Sequence, residues 1–457
     1  MFLHVKYFIL LVSVLFYSSA IFSKTHEGTS VPRNIIFFIG DGMGYNQIQL
    51  SKELLEDYTW TMTTLPISGT VFTRSANQFI TDSAAAASAL ATGHKVTNHT
   101  LSQNESGKPF STLLELFKQK KKRTGLVATT EIVDATPAAF IAHVKTRKKK
   151  NKIAEFFLTQ NVDVILGGGR NFFLPKNQGG KREDGRNLIE ELRSKGYQYV
   201  SSANELSTVK NSTQKLLGLF HPHDFTYTVD REEVKEAQQE PSLAMMTQKA
   251  LELLVSSPKG FFVMIEGSRI DHAAHQFDIP ALIQEMVEFD KAIKVALNFS
   301  KKRNDTLILV TADHETGGLT PSEATQHAFL RSLSVSTEYM AKQIASKNYK
   351  KEEIKKILEV HGHCKDLSSA EIELIQNSQT KEDWAQAAAV GAVIAKRAGL
   401  SMLPYEVSFI GNTKGHSSLP VPIFAFGPAS SLFSGIMDNT EIPKKIAKAT
   451  HVQLQTQ

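Results

Sequence analysis

Acidic, threonine and histidine side chains follow four apolar runs of this chain, close to the point where each run ends. The runs are rich in β-branched and aromatic residues, which is typical of strands buried on both faces of a parallel sheet. Open α/β sheets bind ligands at the carboxyl ends of their strands, so we expect these side chains to converge there. They are Asp41 after 34–39, Thr136 after 124–129, Glu266 and Asp271 after 261–265, and Asp313 and His314 after 306–310.

Two histidines extend this set. His275 stands four residues after Asp271, so the two side chains share one face of a helical turn, a spacing suited to chelating one ion. His272 lies between them and points elsewhere, where it could serve as a neighbour of the ligands. His416 lies in a glycine-containing loop before the apolar run 421–426. The full set is three histidines and four carboxylates, with one threonine.

Oxygen and imidazole ligands without thiolates suit Zn²⁺ in open catalytic sites and Mg²⁺ at an oxygen-only position. Cys364 is the only cysteine, so it forms no disulfide within the chain. Two metal ions ~4 Å apart can hold the attacking and leaving oxygens of an in-line phosphoryl displacement. This pattern therefore predicts metal-assisted phosphoryl transfer.

Ser83 is the candidate nucleophile for that chemistry. It stands where the Ala-rich stretch 83–92 begins, and Gly93 closes this predicted helix in a left-handed conformation. One metal ion would lower the pKa of Ser83 while the other carries the leaving alkoxide. Arg147 is the candidate guanidinium that holds the phosphate oxygens in a bidentate manner.

Helical patterns at 111–121, 188–195, 243–255 and 281–299 alternate with the apolar runs. This alternation predicts an α/β fold with a doubly wound, mainly parallel sheet flanked by helices. The run 162–166 predicts a further strand, and the glycines at 167–169 fit a turn or a phosphate-binding loop. About 319–410 is mostly helical and polar, which predicts a helical insertion or cap before the last core strand, 421–426. A helix is expected at 441–449.

The composition describes a soluble globular protein. The chain has 457 residues, of which 41% are hydrophobic and 21% charged, with a net charge of +6. Two lysine-rich runs, 118–123 and 145–152, lack the interleaved aromatic residues of a nucleic-acid surface, so we expect no nucleic-acid partner. Each run could be a solvated loop or helix face. Whether the runs are solvated faces or a nucleic-acid surface, their positive charge gives a weak attraction for anionic substrates.

The N-terminus has the pattern of a secretory signal peptide over residues 1–23. Lys6 precedes an apolar run, and small residues follow, with Ala20 and Ser23 as alternative cleavage positions. No cysteine follows the run, and no other segment approaches ~18 consecutive apolar residues, so we expect no stable membrane anchor. The sequence predicts an exported protein, periplasmic or secreted, whose residues 24–457 form one domain.

Five motifs occur in the order found in alkaline phosphatases, and together the chain resembles that family from about 33 to 449, in particular its secreted bacterial branch. They are Ile39–Gly44, Thr81–Ala85, Asp134–Ala139, Glu266–Gly267 with Asp271 and His275, and Thr311–His314. The resemblance implies a phosphate monoester hydrolase of broad specificity that acts on small-molecule monoesters. It also allows a homodimer.

The same resemblance implies a role for each candidate residue. Ser83 would become phosphoserine, Arg147 would clamp the phosphate, and water would then hydrolyse the phosphoserine. The implied cofactors are two zinc ions and one magnesium ion. Asp271, His275 and His416 would hold the first zinc, Asp313, His314 and Asp41 the second, and Asp41, Thr136 and Glu266 the magnesium.

Two positions that vary within the family, occupied here by Asp134 and His272, leave the identity of the third metal open. The family's usual Thr-Gly after the ligand histidine is also replaced, here by Ser417-Ser418. The rival readings are a phosphodiesterase or sulfatase of the same metal-site superfamily, and an exported metal- or phosphate-binding protein without turnover. Arg147 and the Asp82-Ser83 pair argue against the first rival. The filled catalytic positions argue against the second.

Overall fold

A ten-stranded sheet forms the centre of the molecule in the computed structural model, which describes residues 31–411 and 413–454. The predicted signal peptide, residues 1–23, lies outside the described residues. Within the described residues, ten strands form this sheet, and β9 and β10 form a separate two-stranded sheet. In chain order the strands are β1 (Asn34–Gly40), β2 (Ile67–Phe72), β3 (Arg123–Glu131), β4 (Val164–Gly168), β5 (Gln198–Val200), β6 (Leu216–Leu219), β7 (Phe261–Gly267), β8 (Thr306–Ala312), β9 (Glu315–Thr316), β10 (His416–Ser417), β11 (Val421–Phe426) and β12 (Gly435–Asp438).

The order across the large sheet is β12-β2-β11-β8-β1-β7-β3-β4-β6-β5. Every neighbouring pair is parallel except the two that β11 makes, with β8 and with β2. All residues of β1, β3, β7 and β8 are buried, as expected for strands covered on both faces. The prediction of a mainly parallel α/β sheet is confirmed.

Helices flank this sheet. They are α1 (Tyr45–Leu54), α2 (Ser83–Thr92), α3 (Leu113–Gln119), α4 (Ala135–Ala139), α5 (Lys150–Gln160), α6 (Leu188–Ser194), α7 (Ala203–Thr208), α8 (Leu243–Leu254), α9 (Arg269–His275), α10 (Ile279–Ser300), α11 (His327–Ser332), α12 (Thr337–Ser346), α13 (Lys351–Val360), α14 (Ser369–Asn377), α15 (Asp383–Arg397) and α16 (Glu441–Thr450). None of the helices in the described residues is long and apolar enough to span a membrane.

The sequence patterns located the central strands and the long helices to within a few residues. They did not reveal β2, β5, β6 and β12, which are short or lie toward the sheet edges. The last strand of the sheet along the chain is β12 rather than the predicted 421–426, which is β11. The glycines at 167–169 lie at the end of β4 and in the turn after it, where Gly169 has a φ of 81°.

Helix α15 packs directly on the turn that follows α9. A Cβ on Gly391 would lie 2.0 Å from the carbonyl oxygen of Gln276, so no side chain fits at this crossing. We expect Gly391→Ala to lower the free energy of unfolding by about 1–3 kcal/mol, since the overlap outweighs alanine's higher helix propensity. Urea unfolding followed by circular dichroism measures this, with Lys396→Ala on the exposed side of α15 as the control. An unchanged or higher stability of Gly391→Ala would contradict the close packing.

Candidate metal centre and nucleophile

Ser83 lies in the first turn of α2, and Asp82 rather than Ser83 is the N-cap. The Asp82 carboxylate accepts a hydrogen bond from the backbone N–H of Ala85 at 3.0 Å, while Gly93 ends the helix at a φ of 78°. The serine hydroxyl therefore does not cap the helix. Ser83 Oγ instead lies 3.1 Å from Nε2 of His314 and is buried at the positive end of the helix dipole.

The first candidate cation site is formed by Asp271, His275 and His416. Asp271 and His275 lie one turn apart in α9, and Asp271 Oδ2 is 3.3 Å from His275 Nε2, as the spacing predicted. His416 Nε2 lies 3.1 Å from His275 Nε2 and 3.8 Å from Asp271 Oδ1. One carboxylate and two imidazoles converging in this way are a donor set suited to zinc.

Hydrogen bonds fix the tautomers of His416 and of His314, whose rings stack on each other. His416 Nδ1 donates to the carbonyl oxygen of Thr81 at 2.8 Å. Thr316 Oγ1 donates to Asp271 at 2.5 Å, so it accepts the N–H of His314 Nδ1 at 3.1 Å. In both rings Nε2 is then the atom with a lone pair, the atom that a metal would need.

The second candidate site surrounds His314 Nε2. Asp41 Oδ1 lies 3.4 Å and Asp313 Oδ2 3.2 Å from this nitrogen, and the His314 ring stacks on that of His416 with centres 3.6 Å apart. Within the part of the chain that the structure describes, both of these carboxylate oxygens are buried and accept no hydrogen bond. A buried carboxylate without a donor needs a cation, and this observation fits a metal ion.

An oxygen-only group lies next to it. Thr136 Oγ1 is 3.5 Å from Asp41 Oδ2. Glu266 stands beside Ile39 in the β1–β7 register. Its Oε2 is buried and has no hydrogen-bond partner among the described residues. Burial and the charges of Asp313, Asp271 and Glu266 raise the pKa of Asp41 well above its ordinary value. Burial raises the pKa of Glu266 to about 8. Such a concentration of carboxylates favours divalent cations, and an oxygen-only set suits magnesium.

Arg147 is held between two carboxylates at the edge of this centre. It donates to Asp134 at 2.9 Å and lies 3.5 Å from Asp82, the residue before the nucleophile. Lys150 occupies the other oxygen of Asp134 at 2.9 Å and also contacts Glu131. Although burial opposes the shift, Lys150 and Arg147 hold the pKa of Asp134 below its ordinary value. Asp134 therefore remains an anion that orients Arg147.

His272 faces away from the first site, as expected. Its Nδ1 accepts a hydrogen bond from Arg269 at 2.8 Å, and Arg269 also lies over the ring of Tyr227 and donates to Glu338 of α12 at 3.1 Å. Burial lowers the pKa of His272, which favours the neutral ring. A neutral His272 with its Nδ1 occupied carries its remaining proton on Nε2.

Glu338 gives this network a pH dependence. Although burial opposes the shift, the charges of Arg269 and Lys342 lower its pKa to about 2 from an ordinary value of 4.5. Its contribution to stability is therefore present above pH 4.5 and lost as the pH falls from 4.5 towards 2. In metal-free protein, we expect Glu338→Gln to lower the free energy of unfolding by about 1–3 kcal/mol at pH 7 and by much less at pH 3. Urea unfolding at both pH values tests this, with the exposed Glu359→Gln as the control. An equal loss at both pH values would contradict it.

Comparison with known proteins identifies the arrangement. The sequence model of the family "Alkaline phosphatase" matches residues 32–452. The chain belongs to the alkaline phosphatase family. Alkaline phosphatase 3 of Bacillus subtilis is 34% identical over 444 residues, which cover 93% of this chain and 90% of that protein. Alkaline phosphatases are phosphoric monoester hydrolases, so the chain is an enzyme of that class.

Solved structures of alkaline phosphatases share the fold. That of Thermus thermophilus superposes with a TM-score of 0.83 at 25% identity and covers 93% of each chain. A variant of alkaline phosphatase from the Antarctic bacterium TAB5, solved with magnesium bound in its M3 site, has a TM-score of 0.66 at 26% identity and covers 93% of this chain and 99% of its own. The carboxyl edge of the sheet is thus the candidate active site of an alkaline phosphatase.

All ten residues selected from the sequence lie in one connected cluster of this alkaline phosphatase. Three further residues, Asp82, Thr316 and Lys150, were not selected as functional groups. Asp82 could have been found as a helix cap, because aspartate is as common at that position as the serine after it. Thr316 and Lys150 act through contacts with distant segments, and no local pattern marks them.

Proposed function

We propose that this alkaline phosphatase hydrolyses a broad range of phosphate monoesters by double displacement through Ser83. The observation that carries the proposal is the position of Ser83 Oγ, 3.1 Å from His314 Nε2 and beside buried carboxylate oxygens that accept no hydrogen bond from any described residue. A serine in that position has no capping role, and its hydroxyl faces the charged cluster instead.

Asp271, His275 and His416 would hold one zinc ion, and His314, Asp41 and Asp313 a second. Asp41, Thr136 and Glu266 would hold a magnesium ion. The related TAB5 variant binds magnesium in its M3 site, which supports a third metal position. Asp134 does not need this ion for charge balance, because Arg147 and Lys150 already pair with it. When bound, these ions supply Lewis-acid stabilisation of the negative charge on the attacking, leaving and bridging oxygens.

The protein groups account for the two half-reactions. Ser83 Oγ loses its proton to solvent and forms a bond to phosphorus as the ester oxygen leaves, and the departing alkoxide takes up a proton from solvent. Water then loses a proton and forms the new bond to phosphorus. The bond to Ser83 Oγ breaks, the serine oxygen takes up a proton, and inorganic phosphate is released. Arg147 is held by Asp134 and Asp82 so that its guanidinium stabilises the non-reacting phosphate oxygens in both steps.

Turnover of an aromatic phosphate monoester by the purified mature chain tests this function. We expect activity that a chelator removes and that zinc with magnesium restores. A phosphate diester and a sulfate ester of the same aromatic alcohol serve as comparison substrates, and both should react far more slowly. Absence of monoester turnover in fully metallated protein, or faster diester turnover, would contradict the proposal.

We also propose that residues 1–23 direct export and are removed, which places the enzyme in a periplasm or outside the cell. The measurement is the N-terminus of the protein recovered from its native envelope or medium. A chain that begins at residue 21 or 24 is expected, and a chain that retains the apolar run would contradict export by cleavage.

A further inference from the structure

A row of rings leads from Ser83 to the outer edge of the site. Ser83 Oγ contacts His314, whose ring stacks on that of His416, and the His416 ring lies 5.0 Å from that of His275. The indole of Trp384 continues the row, with its centre 6.3 Å from the His275 ring at an interplanar angle of 65°. Trp384 therefore stands beside the first candidate cation site, at the end of the row away from the nucleophile.

The indole is held in place on more than one side. Its Nε1 donates to Glu382 at 2.6 Å, and the exposed Lys414 places its Nζ 5.3 Å from the ring centre. A Cβ on Gly415 would lie 3.3 Å from His275 Nδ1, so the loop that carries Lys414 runs directly against the first site. Trp384 itself is half-buried.

In-line displacement fixes which part of the substrate reaches this surface. The leaving oxygen departs on the side of phosphorus opposite Ser83 Oγ, so the group attached to it extends past Asp271, His275 and His416. Resting on the proposed function, we infer that Trp384 and Lys414 form the binding surface for the leaving group. The surface favours monoesters of aromatic alcohols and nucleosides, because a planar ring stacks on the indole and the lysine donates to its acceptor atoms.

Adenosine 5′-monophosphate and ribose 5-phosphate test this inference, since they share the same primary alcohol and differ by the base. Both substrates pass through the same phosphoserine, so a contact to the base acts on kcat/KM and not on the breakdown of that intermediate. We expect the ratio of kcat/KM for the nucleotide to that for the sugar phosphate to fall about tenfold in Trp384→Ala and to be largely retained in Trp384→Phe. Trp60→Phe, at the other tryptophan of the chain, is buried beside Tyr58 and should leave the ratio unchanged.

A second measurement does not depend on the folding of Trp384→Ala. In Trp60→Phe protein, Trp384 is the only tryptophan, and adenosine should change its emission on excitation at a wavelength that adenosine does not absorb. Ribose should not. An equal kcat/KM ratio in wild type and Trp384→Ala, or no emission change at saturating adenosine, would overturn the inference and leave the phosphatase intact. Failure to hydrolyse ribose 5-phosphate at all would instead count against the proposed function.

Discussion

Replacing Ser83 by alanine is expected to reduce monoester turnover by at least about a thousandfold while the protein retains its metal ions. The reason is that the hydroxyl supplies the bond to phosphorus in the first step, and loss of a nucleophile that acts in concert with other groups removes most of the catalysis. Its removal deletes no carboxylate or imidazole from either candidate cation site. Steady-state kinetics and metal content per chain are the two measurements.

Ser88→Ala is the matched control for this variant. Ser88 lies in the same helix, but its hydroxyl donates to the Thr100 carbonyl and accepts from the Ser102 N–H, so its loss should affect stability and not turnover. Wild-type rates in Ser83→Ala would show that Ser83 is not the nucleophile. Loss of metal together with activity would show that the hydroxyl acts mainly on the metal centre.

Replacing His416 by alanine is expected to remove one zinc ion per chain and to lower turnover by at least about a hundredfold. His416 Nε2 is one of three donor atoms in the first site, and its Nδ1 is fixed by the Thr81 carbonyl, so neither function is replaced by a neighbour. Zinc content after dialysis gives a readout that is independent of activity. Unchanged zinc affinity would contradict the assignment.

The control is His363→Asn. His363 is exposed, and its backbone φ of 49° is one that asparagine tolerates. The unusual Ser417 after His416 does not weaken the prediction. Ser417 Oγ donates to Glu315, which also accepts a hydrogen bond from Gln47, so the strand that carries His416 is anchored to β9 and α1 by side chains as well as by its β9–β10 backbone pairing.

The convergence of the candidate metal ligands at one edge of the sheet follows from one rule. Parallel strands bring their carboxyl ends to the same edge, and Asp41, Glu266 and Asp313 converge there because β1, β7 and β8 are neighbours. The order of the strands was not predictable, since it depends on pairings between segments far apart in the chain.

Side chains that act through other residues were harder to predict. Thr316 fixes the tautomer of His314 only because Asp271 lies on its other side, and Lys150 matters only because Asp134 and Glu131 approach it. Trp384 lies more than a hundred residues from His275 along the chain, in a helix that is rich in alanine and largely buried. In each case the role comes from tertiary contact and not from residue type or local spacing.

Strand β1 has a consequence for how the enzyme matures. It begins at Asn34, near the amino end of the described chain, yet it is buried between β7 and β8, whose residues are synthesised more than two hundred positions later. The cluster around Asp41 cannot form until the chain through residue 314 has been synthesised and β1 has paired with β7 and β8. Such pairing between distant segments is associated with slow folding. Metal ions that bind only the finished site then draw the folding equilibrium towards the native state. The supply of metal ions would therefore affect the yield of folded enzyme in addition to its activity.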